Sequence, residues 1–272
     1  MTTTPHRILA GRIALVTGSV GSGIGRSTAL RLARAGADIV LNHGTSGRPI
    51  DRTAEIARIT EAIAGFGSRS IAIAADTRTP DGVDALIAQA RQAFGDIDIL
   101  VNNAGAPWIE QDFASVSFER WRDTLAAEII GPALLTAAVL PAMRNNRWGR
   151  IVNIAIDFRT FEFLLDASFG HRLSQAPYPS WIGKQARLEM VEQMAHAELR
   201  YGVTVNAVLP GIIEECAWET AIAAAQENSA EPALLVGPDH VARIVVRLCS
   251  NEFGWVTGSR LVVPGNVFQR IR

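Results

Sequence analysis

The chain has 272 residues, of which 48% are hydrophobic and 19% are charged, and its formal net charge is −1. This length supports one large α/β domain or two small ones with a sizeable core, and the near-neutral charge gives no basis for binding nucleic acid or an anionic membrane surface. The two cysteines, Cys216 and Cys249, lack the spacing of metal ligands, so we expect neither a disulfide framework nor a metal site.

Membrane and export signals are not evident. The amino-terminal segment lacks the apolar core of a signal peptide. The longest apolar stretch, around Ala133 to Met143, is interrupted by Pro141 and is shorter than the roughly 20 residues that span a bilayer. We therefore expect a cytoplasmic protein without a membrane partner.

Strand and helix patterns alternate along the chain. Short apolar runs predict strands at residues 13–16, 37–42, 70–75, 97–101, 150–155, 203–208 and 260–263. Helical spacing predicts helices from residue 25 to 36 and over 56–65, 83–94, 118–143 (interrupted near Gly131 and Pro132), 181–200, 212–235 and 241–248. This alternation is typical of a doubly wound parallel α/β sheet, which binds ligands beyond the carboxyl ends of its strands. No linker is evident, so we expect a single domain over residues 1–272.

The first turn, TGSVGSGIG at residues 17–25, joins the first strand to the first helix. Its glycines tolerate unusual backbone angles and let the main chain approach a diphosphate closely, and the helix start offers unpaired N–H groups. Glycines also make ordinary tight turns, so the motif alone is weak evidence. Its position between a strand and a helix favours dinucleotide binding.

Several further motifs follow in a fixed order. They are Asp76, NNAG at residues 102–105, GRIVNI at 149–154, NAVLPG at 206–211 and VTG at 256–258. Together with the glycine turn, they resemble the short-chain dehydrogenase/reductase family over essentially the whole chain. The resemblance implies a Rossmann-type fold, a small-molecule substrate, and a homodimer or homotetramer associating through the helices at 118–143 and 181–200.

The resemblance also implies which residues bind the dinucleotide. By region of the cofactor they are Gly18, Ser22, Gly23 and Ile24 for the diphosphate and ribose, Asp76 and Thr77 for the adenine, Asn102, Ala104 and Gly105 for the ribose, and Pro210, Gly211 and Ile213 for the nicotinamide. The family separates the TG and GxG pairs by three residues, whereas this chain has four, residues 19–22. The phosphate turn is therefore enlarged by one residue.

The end of the second strand bears on the choice of dinucleotide. A carboxylate at this position would bind the adenine ribose and repel a 2′-phosphate. This chain has Asn42 and His43 instead, with Arg48 and Arg52 in the following loop. The local charge favours NADP over NAD, and a solvated surface is the alternative role of these arginines.

The catalytic positions depart from the family. Members use a tyrosine as general acid or base, a serine that hydrogen-bonds the carbonyl and an asparagine that supports a water chain. A lysine four residues after the tyrosine lowers its proton affinity and also holds the nicotinamide ribose. The lysine corresponds to Lys184, but Ser180 stands at the tyrosine position, Ile156 at the serine position and Glu128 at the asparagine position. A serine hydroxyl is a much poorer proton donor than the phenol of a tyrosine, whose pKa is about 10. Glu215 replaces a further threonine near the nicotinamide.

Several groups could compensate for the lost tyrosine. Tyr178 lies six residues before Lys184 and is either a replacement proton donor or a packed loop aromatic. We expect Glu128 to approach Lys184, either as a structural ion pair or as a general base. Residues 156–180 form an interval about twice the usual length, and His171 within it is either a replacement acid or base or an exposed, inactive histidine.

Three tryptophans, Trp108, Trp181 and Trp218, lie in regions that the fold places near the substrate mouth. They predict an apolar, aromatic-lined pocket; packing of helix ends is the alternative. Three functions remain open: an NADP-dependent oxidoreductase with a non-standard proton donor, a non-redox cyclase, isomerase or dehydratase, and a catalytically silent binding or partner protein. The fold does not choose among them, because function depends on the site.

Overall fold

The computed structural model describes residues 7–45, 51–156, 176–212 and 237–265. Seven parallel strands form one sheet in the order β3-β2-β1-β4-β5-β6-β7. The strands are Ile13–Thr17 (β1), Asp38–His43 (β2), Ser70–Ala74 (β3), Ile99–Asn102 (β4), Gly149–Ile154 (β5), Val203–Ile212 (β6) and Arg260–Gly265 (β7). The helices are Ile24–Arg34 (α1), Thr53–Gly65 (α2), Pro80–Phe94 (α3), Phe118–Leu125 (α4), Gly131–Asn145 (α5), Tyr178–Glu198 (α6) and Pro238–Cys249 (α7).

Helices cover both faces of the sheet, as predicted. Side chains alternate between the faces of a strand, so Ala14 and Val16 of β1 join one buried cluster and Leu15 joins the other. Strand β1 pairs with β2 on one side and with β4 on the other. The strand order reverses at this point, since β2 and β3 are added on one side of β1 and β4 to β7 on the other, and the crevice beyond β1 and β4 is the ligand position of such folds. The doubly wound prediction is confirmed.

The helix predicted over residues 118–143 continues through its expected interruption. Helices α4 and α5 are joined by one π-helical turn, Ala126–Ile130, in which the Gly131 N–H donates to the Ala126 carbonyl five residues back. The combined helix, Phe118–Asn145, is long and apolar enough to cross a membrane by length and composition alone. The expectation that no segment reaches this length was wrong, although core helices meet the same criterion and Leu135, Val139 and Met143 pack in the core.

Two boundaries differ from the prediction near the candidate site. Helix α6 begins at Tyr178 rather than Trp181, so Tyr178 belongs to the helix and does not precede it. Strand β6 continues to Ile212, because Pro210 pairs with Val263 of β7. The predicted helix at 212–235 and most of the enlarged interval at 156–180 lie outside the described residues. Where the description resumes, Ala176 exchanges two backbone hydrogen bonds with Gln111.

A buried ion pair ties the first helix to the last one. Nε and Nη2 of Arg31 donate to the two carboxylate oxygens of Asp239 at 2.6 and 2.7 Å, and both residues are less than a tenth exposed. Arg243, whose side chain is 36% exposed, also donates to Asp239. Removing one partner of a buried pair leaves an uncompensated charge.

We expect Asp239→Asn to lower the free energy of unfolding by about 3 kcal/mol, because it leaves the Arg31 guanidinium buried without its counter-ion. Arg243→Ala is the matched control and should cost less than about 1 kcal/mol, since that pair is partly exposed. Urea unfolding followed by circular dichroism measures both. Equal losses in the two variants would contradict the assignment of Arg31 as the principal partner.

Candidate active site

The inner residues of the enlarged glycine turn pack into the core. Ser19 and Val20 are fully buried, and the Ser19 hydroxyl donates to the Val16 carbonyl at 2.9 Å. The Ser19 N–H donates to the Asn42 carbonyl at the end of β2. Ser22, by contrast, is exposed. The longer turn therefore leaves its outer half, which faces the ligand crevice, available for binding.

The outer half of this turn fits a diphosphate. Gly23 has a φ of 93°, and a Cβ built on it would meet nothing within 4 Å, so there is open space in front of the helix. Helix α1 begins at the next residue, Ile24, without a side-chain cap on its amino terminus. Unpaired N–H groups at a helix start, together with the positive end of the dipole, bind anionic groups.

The NNAG segment closes the floor of the crevice. The Thr17 hydroxyl accepts the N–H groups of Asn103 and Ala104 at 3.0 Å each, and the Asn103 amide donates to the carbonyls of Thr17 and Gly18. Gly18 has a φ of 64° and lies against Asn103, so a side chain there would be strained and crowded. These bonds fix the end of β4 beside the glycine turn.

Two side chains that were predicted to lie near the adenine half of a dinucleotide already have partners within the protein. The Asn42 side chain is buried, and its amide donates to the carbonyls of Ile73 and Ala75 at 3.3 Å. The Asp76 carboxylate accepts Nε and Nη2 of Arg78, and this hydrogen bonding lowers the pKa of Asp76. Both side chains are thus engaged within the protein, and their predicted contacts with a cofactor stay predictions.

An arginine reaches the phosphate turn from the start of α2. Nη1 of Arg52 lies 3.7 Å from the position that a Cβ on Gly21 would occupy. Arg52 is partly buried, whereas Arg58 on the same helix is exposed. Of the two arginines considered from the sequence, Arg48 lies outside the described residues. Arg52 places a fixed positive charge beside the crevice.

At the end of the crevice where the resemblance predicts the nicotinamide, a buried carboxylate binds two cations. Glu128 lies in the π turn with no exposed surface, and its Oε1 accepts the Ala106 N–H at 2.9 Å. Its Oε2 accepts Nζ of Lys184 and Nη2 of Arg187, each at 3.0 Å. The predicted approach of Glu128 to Lys184 is therefore confirmed, and the second cation is an addition that the sequence analysis did not anticipate.

Arg187 is fully buried and binds oxygens of several elements. Its guanidinium donates to the Glu128 carbonyl at 2.7 Å and to the Ala127 carbonyl at 3.4 Å, both in the π turn. It also donates to the carbonyls of Asn102, Ala104 and Ile154. Because a π turn shifts the backbone hydrogen-bond pattern, an arginine from α6 completes the bonding of this turn.

Two glycines let the backbone close around Glu128. A Cβ on Gly183 would fall 2.5 Å from the Glu128 Cβ, and a Cβ on Gly105 would fall 2.8 Å from its Oε1. Because these two positions are glycines, helix α6 and the loop after β4 approach Glu128 more closely than they could with a side chain at either position. The glycines help to exclude water from the ion cluster.

Lys184 is the only lysine of the chain, because the other 25 of its 26 Lys and Arg residues are arginine. Its side chain is 14% exposed, so Nζ sits at the edge of the buried cluster. Burial lowers the pKa of Lys184; Glu128 opposes this effect and Arg187 adds to it. A lysine in this setting releases its proton more readily than an ordinary surface lysine.

The remaining candidate donors have different environments. Ser180 lies one helical turn before Lys184 and is 1% exposed. The ring of Tyr178 contacts Phe113 and Trp181 edge to face, at centroid distances of 5.2 and 6.3 Å. The donor roles of Ser180 and Tyr178 stay predictions, and the contacts of Tyr178 agree with its alternative interpretation as a packed aromatic.

Five aromatic rings form a cluster between the loop after β4 and the start of α6. Trp108 contacts Trp181 at 6.0 Å, and Phe113 contacts Trp121 at 5.8 Å. Trp108 and Phe113 are 42% and 57% exposed, so the cluster presents apolar surface. Its members are Trp108, Phe113, Trp121, Tyr178 and Trp181.

The other positions predicted from the sequence lie at the edges of the described residues or outside them. Pro210 and Gly211 lie at the end of β6, and Ile156 follows β5. Ile213, Glu215, His171 and Trp218 lie outside the described residues, so the roles predicted for them stay predictions. The described residues contain no group of three or more His, Cys, Asp or Glu side chains that could hold a metal ion.

Comparison with known proteins gives consistent similarities. The sequence model of the family described as short chain dehydrogenase matches residues 12–227. The chain is 36% identical to (2S)-[(R)-hydroxy(phenyl)methyl]succinyl-CoA dehydrogenase subunit BbsD of Thauera aromatica, covering 93% of this chain and 95% of that protein. It is 30% identical to L-rhamnose 1-dehydrogenase (NAD(P)(+)) of Azotobacter vinelandii, covering 97% and 100%.

A solved structure shows the same architecture. The crystal structure of a blue fluorescent protein from a metagenomic library, in complex with NADPH, matches with a TM-score of 0.75 and 26% identity. The match covers 95% of this chain and 98% of that one. The similarity thus extends over the sheet and both helical layers.

We expect Gly183→Ala to lower the free energy of unfolding by roughly 1–3 kcal/mol, because the added methyl group overpacks against Glu128. Gly65→Ala is the matched control: a Cβ there meets nothing within 4 Å, and alanine favours the helix, so its stability should be unchanged or higher. Urea unfolding measures both. A neutral Gly183→Ala would show that α6 can move away from the π turn.

Proposed function

The chain belongs to the short-chain dehydrogenase family, whose members are oxidoreductases that use NAD or NADP. From this premise we propose that the chain interconverts a carbonyl and an alcohol, with Lys184 as the proton donor and acceptor. NADP is the proposed dinucleotide. The observation that carries this proposal is the position of the chain's only lysine, at the edge of a buried cluster on a carboxylate that already has a second counter-ion.

Dinucleotide binding is supported by the open space at Gly23 and the uncapped start of α1. The residues that would hold the diphosphate are the outer half of the glycine turn, and those around its ribose are Ala104 and Gly105. Arg52 supports NADP, because a guanidinium beside this turn offers a charge-assisted bond to a 2′-phosphate. When bound, the dinucleotide supplies or accepts the hydride with its two electrons.

The proton is the chain's own contribution to the reaction. In the reduction direction, an N–H bond of the Lys184 ammonium breaks as the O–H bond of the product alcohol forms, which leaves a neutral amine. In the oxidation direction, that amine takes the proton from the alcohol. When Lys184 loses its positive charge, Glu128 keeps a counter-ion, because its Oε2 also accepts a hydrogen bond from Arg187.

The aromatic cluster supports an apolar or aromatic substrate. It exposes the edges and faces of Trp108 and Phe113 at the entrance of α6, and such surfaces contribute stacking and apolar burial. The relative from Thauera aromatica is named for a substrate that carries a phenyl group and a coenzyme A thioester. We therefore propose that the substrate is a medium-sized carbonyl compound with an aromatic ring rather than a free sugar.

A catalytically silent subunit is the second candidate. The same relative is named as one subunit of its enzyme, and Ser180 and Ile156 leave two family catalytic positions without their usual groups. In either case we propose a cytoplasmic homodimer or homotetramer, because Ile130 beside α5 and Ile182 on α6 are each 48% exposed. Turnover measurements distinguish the active enzyme from the silent subunit.

We expect NADPH to bind more tightly than NADH, and Arg52→Ala to weaken NADPH binding about tenfold by removing a charge-assisted bond, with little effect on NADH. Arg58→Ala, on the exposed face of α2, is the matched control. Nicotinamide fluorescence and calorimetry give both affinities. A similar loss for the two dinucleotides would contradict a 2′-phosphate contact, and no binding by the folded protein would overturn the redox proposal.

We expect Lys184→Arg to lower kcat for an aryl ketone by roughly 100-fold or more, because arginine keeps the positive charge but does not release its proton. NADPH affinity should change far less than kcat. Tyr178→Phe preserves the ring contacts and should leave kcat nearly unchanged. In the wild-type protein the reduction rate should fall as the pH rises through the lowered pKa of Lys184. Loss of activity in Tyr178→Phe alone would identify the tyrosine as donor.

A further inference from the structure

The ion cluster contains one positive charge more than is needed to balance the Glu128 carboxylate. Glu128 and Lys184 would form a neutral pair, yet Arg187 also binds the same carboxylate oxygen and is itself fully buried. Burying a guanidinium removes its hydration, and its contacts must offset this loss. This second cation therefore needs a physical explanation beyond the pairing of Lys184 with Glu128.

We propose that Arg187 is a positioning residue that lets Lys184 lose its proton by remaining as the counter-ion of Glu128. This inference rests on the proposed role of Lys184 as proton donor. Without Arg187, a neutral Lys184 would leave a buried carboxylate with no cation, so the proton would be held in place. With Arg187, the state after proton release is a complete Arg187–Glu128 ion pair beside a neutral amine.

The geometry supports this division of roles. The side chain of Arg187 is 0% exposed and is fixed by carbonyls of the π turn and of the ends of β4 and β5. The side chain of Lys184 is 14% exposed and meets the cluster only through Glu128 in the contacts described. Arg187 is thus held permanently by the fold, whereas Lys184 borders the crevice.

The charges that act on Lys184 are few. Among the described residues they are Glu128 of the π turn and Arg187 of α6. The loop after β4 faces the carboxylate with the main chain of Gly105 and Ala106, which adds no titratable group. Removing the positive charge of Arg187 therefore strengthens the hold of Glu128 on the Lys184 proton.

The single lysine makes the ionisation of Lys184 directly measurable. Protein grown with lysine carrying ¹³C at the ε carbon contains one labelled side chain, and its chemical shift across a pH series gives the pKa without cofactor, substrate or turnover. Arg187→Gln keeps hydrogen-bond donors near the carbonyls but removes the charge. We expect the pKa of Lys184 to rise by about one unit or more in this variant.

The double variant Glu128→Gln/Arg187→Gln is the matched control, because it removes both neighbouring charges and keeps the burial. We expect its Lys184 pKa to return to or below the wild-type value. Removing both members of a buried pair is also tolerated better than removing one, so the double variant serves as the test if the single variant does not fold. An ordinary lysine pKa in the double variant would overturn the proposal.

An unchanged Lys184 pKa in folded Arg187→Gln would also overturn it and leave Arg187 with a purely structural role. Either result is independent of the proposed reaction. If Lys184→Arg retains activity while Arg187→Gln still raises the Lys184 pKa, the proton-donor role fails and the electrostatic coupling stands. If both measurements agree with expectation, Arg187→Gln should additionally move the pH at which the reduction rate falls upward by the same amount.

Discussion

The carboxylate of Glu128 has no exposed surface, and the centre of the molecule is organised to give both of its oxygens hydrogen-bond partners. Its two oxygens accept one backbone N–H and two cations. An unpaired buried carboxylate would cost several kcal/mol of stability. Three segments must therefore keep fixed positions relative to one another around it: the π turn, the loop after β4 and helix α6. The geometry of the crevice beside Lys184 follows from this one requirement.

Much of the fold could be predicted from local patterns, because strands buried on both faces and amphipathic helices leave clear apolar periodicities. The errors have identifiable causes. Gly131 and Pro132 indicated an interruption, but a proline in the first turn after the π turn lacks only an N–H that would not be needed there. The strand predicted over 203–208 is too short, because Pro210 still pairs with Val263 and β6 continues as far as its pairing with β7 does.

The candidate site was only partly predictable. The contact of Glu128 with Lys184 followed from their positions in recognisable motifs. Arg187 was missed because it lies beside Leu188 and near Val191, on a helix face whose spacing indicates apolar core, and charged residues there are usually assigned to the surface. A basic residue at a core position of α6 was the available signal. Trp108 and Trp181 were expected in the same region of the fold, but their contact and that of Phe113 with Tyr178 each join residues more than 60 positions apart, which sequence spacing does not show.

The burial of Arg187 also makes the three members of the ion cluster unequal. Loss of the Lys184 side chain removes a cation at the edge of the cluster and leaves Glu128 paired with Arg187. Loss of the Glu128 carboxylate alone leaves the Arg187 guanidinium, which has no exposed surface, without a carboxylate. The cluster therefore tolerates replacement of its outer cation better than replacement of its single anion.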